Sequence, residues 1–297
     1  MPANKIYDPE FAEKPSAVEA YADFVAVVRQ LRRDCPWDRE QTHESVKHLL
    51  IEEAYEALEA IDRADWGELE KELGDVLLHV VFHSVIAEQN GSFNLEGVIR
   101  RETEKLVRRH PHVFGDRPVD GTAEVLRNWE EIKMREKGRR SVLDGVPGSM
   151  PSLLRALRIQ EKAAGVGFDF PEPEDAWAKV QEEIGEFGAR VAEAPSSEQA
   201  EAEFGDLLFS LVNYARLNGM NPENALRRTN DKFVRRFGHV EARLKEEGKS
   251  AVDASLEEMD ELWDEAKERE ATKDTLTHGD TSYSGKHNAY SGKHNAR

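Results

Sequence analysis

The sequence predicts an all-α protein of two tandem helical units. Three observations carry this. Apolar residues recur at spacings of three and four almost throughout, the helical period. No segment shows a sustained β-type alternation. A set of motifs also occurs twice at near-constant offsets. Trp37-Asp38 is matched by Phe168-Asp169 and Asp75 by Asp206, both 131 residues on, and Lys105, Arg108 and Arg109 by Lys232, Arg235 and Arg236, 127 on. Offsets that hold across three separate motifs mark a duplicated structural unit. The length of 297 residues suits two domains.

The elements follow in order. Residues 1–15 form an N-terminal extension and 16–138 the first unit. Segment 16–33 carries Val18, Tyr21, Phe24, Val25, Val28 and Leu31 on one helical face. Segment 44–62 follows, with Leu49, Leu50, Ala54, Ala57, Leu58 and Ile61 as its apolar stripe. Asp65 is an N-cap for a helix from 66 to about 89 that ends at Asn90-Gly91. Asn94 caps the next, through Val98, Ile99, Leu106 and Val107, which Pro111 stops. A further helix over 122–137 opens at Thr122 and closes at Gly138. Residues 139–150, rich in Gly, Pro and Ser, read as the connection, and 151–271 as the second unit. Its last helix, 255–271, is capped by Ser255. The tail 272–297 is polar, carries YSGKHNA at 283–289 and again at 290–296, and has the composition of a disordered segment. One four-helix unit leaves an apolar face on 44–62 and 66–89, so a homodimer, a bundle built from both chains, is expected.

The 41 Lys and Arg stand against 59 Asp and Glu, a net charge of −18. That argues against non-specific nucleic-acid binding. It leaves room for a polyanionic ligand, because a bound divalent cation inverts the local sign. Cys35 is the only cysteine, so no intramolecular disulfide forms and a reducing compartment is the default. The first thirty residues hold Asp8, Glu10, Glu13, Glu19 and Asp23 and do not read as a signal peptide. No apolar run approaches a membrane span. A cytoplasmic protein without a membrane partner is expected.

The candidate site is an acidic pattern present twice. Glu52, Glu53 and Glu56 precede Glu72 and Asp75; Glu182, Glu183 and Glu186 precede Glu203 and Asp206. Each copy reads E-E-x-x-E, a gap of 15 or 16 residues, then E-x-x-D. Positions i and i+3 share a helix face, so Glu53 meets Glu56 and Glu72 meets Asp75. Antiparallel packing of the two helices gathers four carboxylates, which repel one another. A hard divalent cation is the simplest group that holds them together. Solvated acidic faces are the competing reading for EExxE alone. It fits the second acidic pair poorly, because Asp75 and Asp206 sit inside apolar runs and acids on such helices are seldom buried without a partner. The expected ligand sets are Glu53, Glu56, Glu72 and Asp75, and Glu183, Glu186, Glu203 and Asp206. A ferritin-type di-iron site would need Glu-x-x-His on facing helices, which neither acidic pair supplies.

CPWDREQTH at 35–43, EEAYE at 52–56, ELGD at 72–75 and RRHPHVFGD at 108–116 resemble the MazG family of nucleoside triphosphate pyrophosphohydrolases. So do VGFDF at 166–170, EEIGE at 182–186, EFGD at 203–206 and KFVRRF at 232–237. The resemblance covers about residues 16–270. It implies tandem four-helix MazG-type units, commonly dimeric. It also implies Mg²⁺, with Mn²⁺ as a substitute, and cleavage of nucleoside triphosphates between the α and β phosphorus atoms to monophosphate and pyrophosphate. The role it implies is cleansing of the nucleotide pool. The second copy departs from the first by lacking the CPWD and HPHVF flanks.

The remaining candidates take their roles beside that chemistry. Glu52 and Glu182, one position off the ligand pair, either orient or deprotonate the attacking water or are surface residues. Lys105 and Lys232, with Arg108 and Arg235 one turn on and Arg236 beside them, are candidates for contacts with phosphate and for neutralising the leaving pyrophosphate. Cations near a helix C-terminus also offset the macrodipole, which is the plainer reading of Arg108 and Arg109. Trp37 and Phe168 stack on a nucleobase or pack in the core. Asp38 and Asp169 read as turn or cap residues. His79 and His83 have Ser210 and Tyr214 as counterparts, so they read as helix residues rather than zinc ligands. Their bulk after Asp75 narrows the first pocket, which points to the second unit as the more active. No Walker-type glycine loop is present.

Overall fold

The computed structural model describes residues 12, 14–122, 124, 125, 128, 129, 132 and 141–277. Among the described residues there are helices and no strands. The chain divides into two compact units, Met1–Lys133 and Met134–Arg297.

The first unit holds α1 (Pro15–Asp34), α2 (Pro36–Glu40), α3 (His43–Asp62), α4 (Trp66–Gln89), α5 (Leu95–Arg109) and α6 (Pro111–Phe114). Its boundaries follow from side chains that satisfy the first free N–H groups. Thr42 and Ser45 form a reciprocal capping box on α3, Asp65 accepts from Glu68 N on α4, and Asn94 accepts from Gly97 N on α5. The short turn between α3 and α4 makes them an antiparallel hairpin, and α1 and α5 pack on α4. Val25, Val28, Val46, Val81, Phe82 and Val85 are among the residues that form the core. Buried Arg32 ties α1 to the end of α4 through Gln89 Oε1 at 2.7 Å and to the 36–41 segment through the carbonyls of Asp38 and Gln41. Of the helix expected over 122–137, residues 122, 124, 125, 128, 129 and 132 are helical and the rest lie outside the described residues.

The second unit holds α7 (Ser152–Ala164), α8 (Pro173–Glu193), α9 (Glu198–Leu217), α10 (Pro222–Glu246) and α11 (Leu256–Thr277). Helices α8 and α9 form its hairpin, with Ser197 capping α9 by accepting from Ala200 N. Helix α7 packs on α9 and α10, and α11 on α10. Ser255 accepts from Glu258 N at the start of α11. That helix continues to Thr277 rather than ending at 271; the repeats at 283–289 and 290–296 lie outside the described residues. Residues 141–150 do more than connect: the buried ammonium of Lys162 donates to Val142 O at 3.0 Å and Asp144 O at 3.2 Å, which holds this segment on α7.

Candidate metal and nucleotide site

Each hairpin brings carboxylates together where the sequence spacing expects them. In the first unit, oxygens of Glu53 and Glu56 from α3 and Glu72 from α4 lie within 4.8 Å of one another. In the second, Glu183 from α8 and Glu203 and Asp206 from α9 do the same. Opposite oxygens around Mg²⁺ are about 4.2 Å apart, so small side-chain rotations close either trio on a cation. The fourth expected ligand stands outside each trio. Asp75 is half-buried and close enough for its charge to act on Glu53, whereas Glu186 is exposed on the next turn of α8.

Burial makes these trios costly without a cation. Glu72 and Glu183 are each only 5% exposed, and one carboxylate oxygen of each, Oε2, is buried with no hydrogen-bond partner. A buried oxygen left this way forfeits its hydration. Burial first, then the carboxyls of Glu68 and Glu56, push Glu72 up to about 7, against the pull of Lys71. Glu53 is also held above the ordinary carboxylate range, by burial and then by Asp75, Glu56 and Glu52. The two orphaned oxygens and the all-oxygen donor sets fit a hard divalent cation.

The surroundings of the two trios differ. Beside the second lies a cavity of about 790 Å³, lined by Glu183 and Asp206 and by an apolar wall that includes Val166, Phe168, Phe170 and Phe209. This volume is in the range of small-molecule pockets. Gly167, at φ +89°, lets the chain turn sharply after α7, and Phe168 N then bonds back to Ala163 O at 3.0 Å. That turn delivers Phe168 to the cavity, 82% exposed, and rules out the core reading of this residue. Trp37, its counterpart, is also exposed, at 59%. Positions 131 before Ser210, Asn213 and Arg216 of the cavity wall are His79, Phe82 and Val85, all buried in the first unit. His83 adds to this filling, with its Nδ1 2.8 Å from His43 Nδ1 and the rings stacked. Burial holds both His79 and His83 below the ordinary histidine range.

The cations nearest the second trio are ones the sequence reading missed. Lys179 bridges Glu182 at 2.8 Å and Glu183 at 2.7 Å, and the two bonds raise its own pKa. Arg190 lies 3.7 Å from Glu203. Arg216 lines the cavity, pairs with Asp169 and donates to Asn213 Oδ1, so Asp169 is an ion-pair partner as well as a turn residue. The basic clusters take other places. Arg235 and Arg236 pair with Glu270 of α11, Arg236 also stands over the Trp263 ring, and Lys232 is exposed; none of the three lines the cavity. The physical reason is α11, which packs along α10 and presents its own carboxylate. Lys105 pairs with Glu102 one turn away, and Arg108 and Arg109 occupy the last turn of α5. A signal for Lys179 was available: it sits four residues before Glu183 on the same face. Glu52 is exposed, as is Glu182 apart from its bond to Lys179.

A family model described as the MazG nucleotide pyrophosphohydrolase domain matches residues 41–114 and 172–241, one match in each unit. The chain is 45% identical over 251 residues to the nucleoside triphosphate pyrophosphohydrolase/pyrophosphatase MazG of Thermotoga maritima, covering 83% of this chain and 95% of that protein. It is 42% identical over 257 residues to a nucleoside triphosphate pyrophosphohydrolase of Escherichia coli K12, covering 84% and 97%. It is 49% identical over 269 residues to YabN of Bacillus subtilis, a protein named as uncharacterized; that match covers 89% of this chain and 55% of YabN.

Proposed function

The chain belongs to the MazG nucleotide pyrophosphohydrolase family, and on that premise we propose that it hydrolyses nucleoside triphosphates to monophosphate and pyrophosphate with Mg²⁺. The observation that carries the reading is the juxtaposition of the Glu183, Glu203 and Asp206 trio with an apolar cavity large enough for a nucleobase. Glu183, Glu203 and Asp206 would hold the metal, with Glu186, one turn on along α8, as the fourth ligand of the proposal. When bound, Mg²⁺ neutralises phosphate charge and makes water more acidic. The chain's own residues do the rest. The apolar wall excludes water and positions the base, with Phe168 available to stack on it. Lys179 fixes the carboxylates of Glu182 and Glu183 in one orientation. Glu182 takes the proton of the attacking water as the oxygen bonds to phosphorus and pyrophosphate leaves. Lys232 and Arg235, directed elsewhere within one chain, are assigned no step. Removal of unwanted triphosphates from the nucleotide pool is the role this activity serves.

Chelation tests the metal requirement. Excess EDTA should abolish turnover, and Mg²⁺ or Mn²⁺ added back should restore it. Full turnover in EDTA would overturn the reading. The first trio, Glu53, Glu56 and Glu72, is proposed to hold a cation in a structural role, because its unit fills the space a base would occupy.

A homodimer is part of the same proposal. Ile51, Tyr55, Leu73 and Leu77 on the first hairpin, and Ile184, Phe204 and Leu208 on the second, are exposed. Apolar surface of this extent favours association. Light scattering should give twice the chain mass at micromolar concentration; a monomer mass contradicts the assignment.

A further inference from the structure

The wall of the cavity is not carried by helices alone. Val142 and Leu143, ahead of α7, line it together with residues of α7, α8 and α9. Leu143 is 44% exposed, so its side chain is open surface rather than core. Residues 141–144 close on themselves as a short turn: Ser141 N donates to Asp144 Oδ2 at 2.9 Å and Leu143 N to Ser141 Oγ at 3.1 Å. Local bonds of this kind shape a turn but do not place it against a helix.

Lys162 on α7 places it. Its ammonium donates to Val142 O at 3.0 Å and Asp144 O at 3.2 Å, the two carbonyls that bracket Leu143. Lys162 is only 7% exposed. A buried ammonium offsets the hydration it loses by donating to acceptors of this kind, and bonds from a charged donor are stronger than neutral ones. The helix that carries it is itself tied to the metal hairpin. Gln160 Nε2, two residues earlier, donates to Phe209 O at 2.8 Å, and Phe209 lies three residues after Asp206 on α9. A chain of bonds thus runs from the carboxylate helix through α7 to the turn, and fixes where the turn's apolar surface stands relative to the trio. The first unit carries Leu31, 41% exposed, at the position 131 residues before Lys162. The ammonium belongs to the unit that has the cavity.

We propose that Lys162 is a positioning residue for the nucleotide: it holds the 142–144 turn in place as a wall of the cavity, against which the nucleoside packs. This rests on the nucleotide reading of the cavity given above. Lys162 touches no reacting atom in this assignment; it acts through Val142 and Leu143. Without its ammonium the two carbonyls regain hydrogen bonds by turning to water, and the wall leaves α7 with them. The nucleoside then loses apolar contact while the phosphates keep theirs. Losing the contact of about one apolar side chain weakens binding about tenfold.

The test is equilibrium binding of two ligands to the 297-residue chain with Mg²⁺, by titration calorimetry. One is α,β-methylene ATP, which has a nucleoside and resists cleavage at the α–β bridge. The other is inorganic tripolyphosphate, which has no nucleoside. Lys162→Met should weaken the analogue about tenfold and tripolyphosphate by less than about twofold. Lys162→Arg, which keeps a charged donor, should restore most of the analogue's affinity. A lysine that only supports the fold would weaken both ligands together. Leu143→Ala should also weaken the analogue alone. Combined with Lys162→Met it should cost no more than the larger single loss, because both act through one wall. If Lys162→Met does not fold, Lys162→Gln, which retains an amide donor, is read in its place, with a loss of about threefold. Equal losses for the two ligands, no loss for either, multiplied losses in the double variant, or no binding of the analogue by the unaltered chain overturns the proposal. If the analogue behaves as stated yet no triphosphate yields pyrophosphate, the assigned reaction falls and the positioning role stands. If pyrophosphate is released while Lys162→Met binds the analogue as the parent does, the reaction stands and the positioning role falls.

Discussion

Glu183→Ala or Asp206→Ala should lower turnover by about 10²-fold or more, while Glu53→Ala or Asp75→Ala should leave most of it. Both hairpins gather three carboxylates, so metal binding alone does not separate them. The difference is the space beside each trio. In the second unit Ser210, Asn213 and Arg216 line an open cavity; in the first, His79, Phe82 and Val85 fill the corresponding positions as buried side chains. A triphosphate can be held at the first trio by its phosphates, but the base has no comparable slot. Removing one ligand leaves the others repelling one another, so each variant's melting temperature is measured alongside its rate. Steady-state pyrophosphate release at equal folding is the readout. The reverse ranking would place the active site in the first unit.

Glu72→Gln should raise the melting temperature of the metal-free protein at pH 8 while abolishing the stabilisation that Mg²⁺ gives the first unit. Glu72 titrates at about 7 in the folded chain against an ordinary 4.5, chiefly because it is buried. A group with a raised folded pKa contributes stability in full below its unfolded pKa and loses it as pH rises through the folded value. The metal-free protein is thus weakened by this group between about pH 4.5 and 7. Neutral glutamine removes that loss. His79 and His83 act with the opposite sign, since their folded pKa values are lowered: their contribution is present above about 6.5 and lost as pH falls. The comparison is therefore of the variant with the parent at each pH, by calorimetry in EDTA and in Mg²⁺. At a hundred times its dissociation constant the metal should add about 2.7 kcal/mol per intact site. A variant that melts below the parent at pH 8 without metal would contradict the burial argument for Glu72.

Much of this was legible in the residues. Asp65, Asn94 and Ser255 act as the caps their positions suggest, because a cap is a local bond between a side chain and an N–H three residues on. The carboxylate trios follow from the i, i+3 register of a hairpin, and duplication fixed that this happens twice. Lys179 was missed although its i, i+4 register with Glu183 is local; the rest of what escaped depends on packing between helices. Arg235 and Arg236 look like phosphate ligands along α10, but Glu270 comes from α11, 34 residues after Arg236, and no local pattern announces the contact. Gln160 is one polar residue on an amphipathic helix until α9 buries it. Val142 and Leu143 read as connector until Lys162 draws that segment onto α7 and both line the cavity. The contrast between halves, small and polar at 210 and 213 against bulky at 79 and 82, was present in the sequence. It shows as a pocket only once the repeats are laid over one fold.

The central claim is that this chain cleaves the bond between the α and β phosphorus atoms of a nucleoside triphosphate, and phosphorus NMR of the products tests it most directly. ATP or CTP incubated with the 297-residue chain and Mg²⁺ should lose its three resonances together and give those of the monophosphate and pyrophosphate alone, with none appearing for the Asp206→Ala variant. Resonances of diphosphate and orthophosphate in their place would contradict the account.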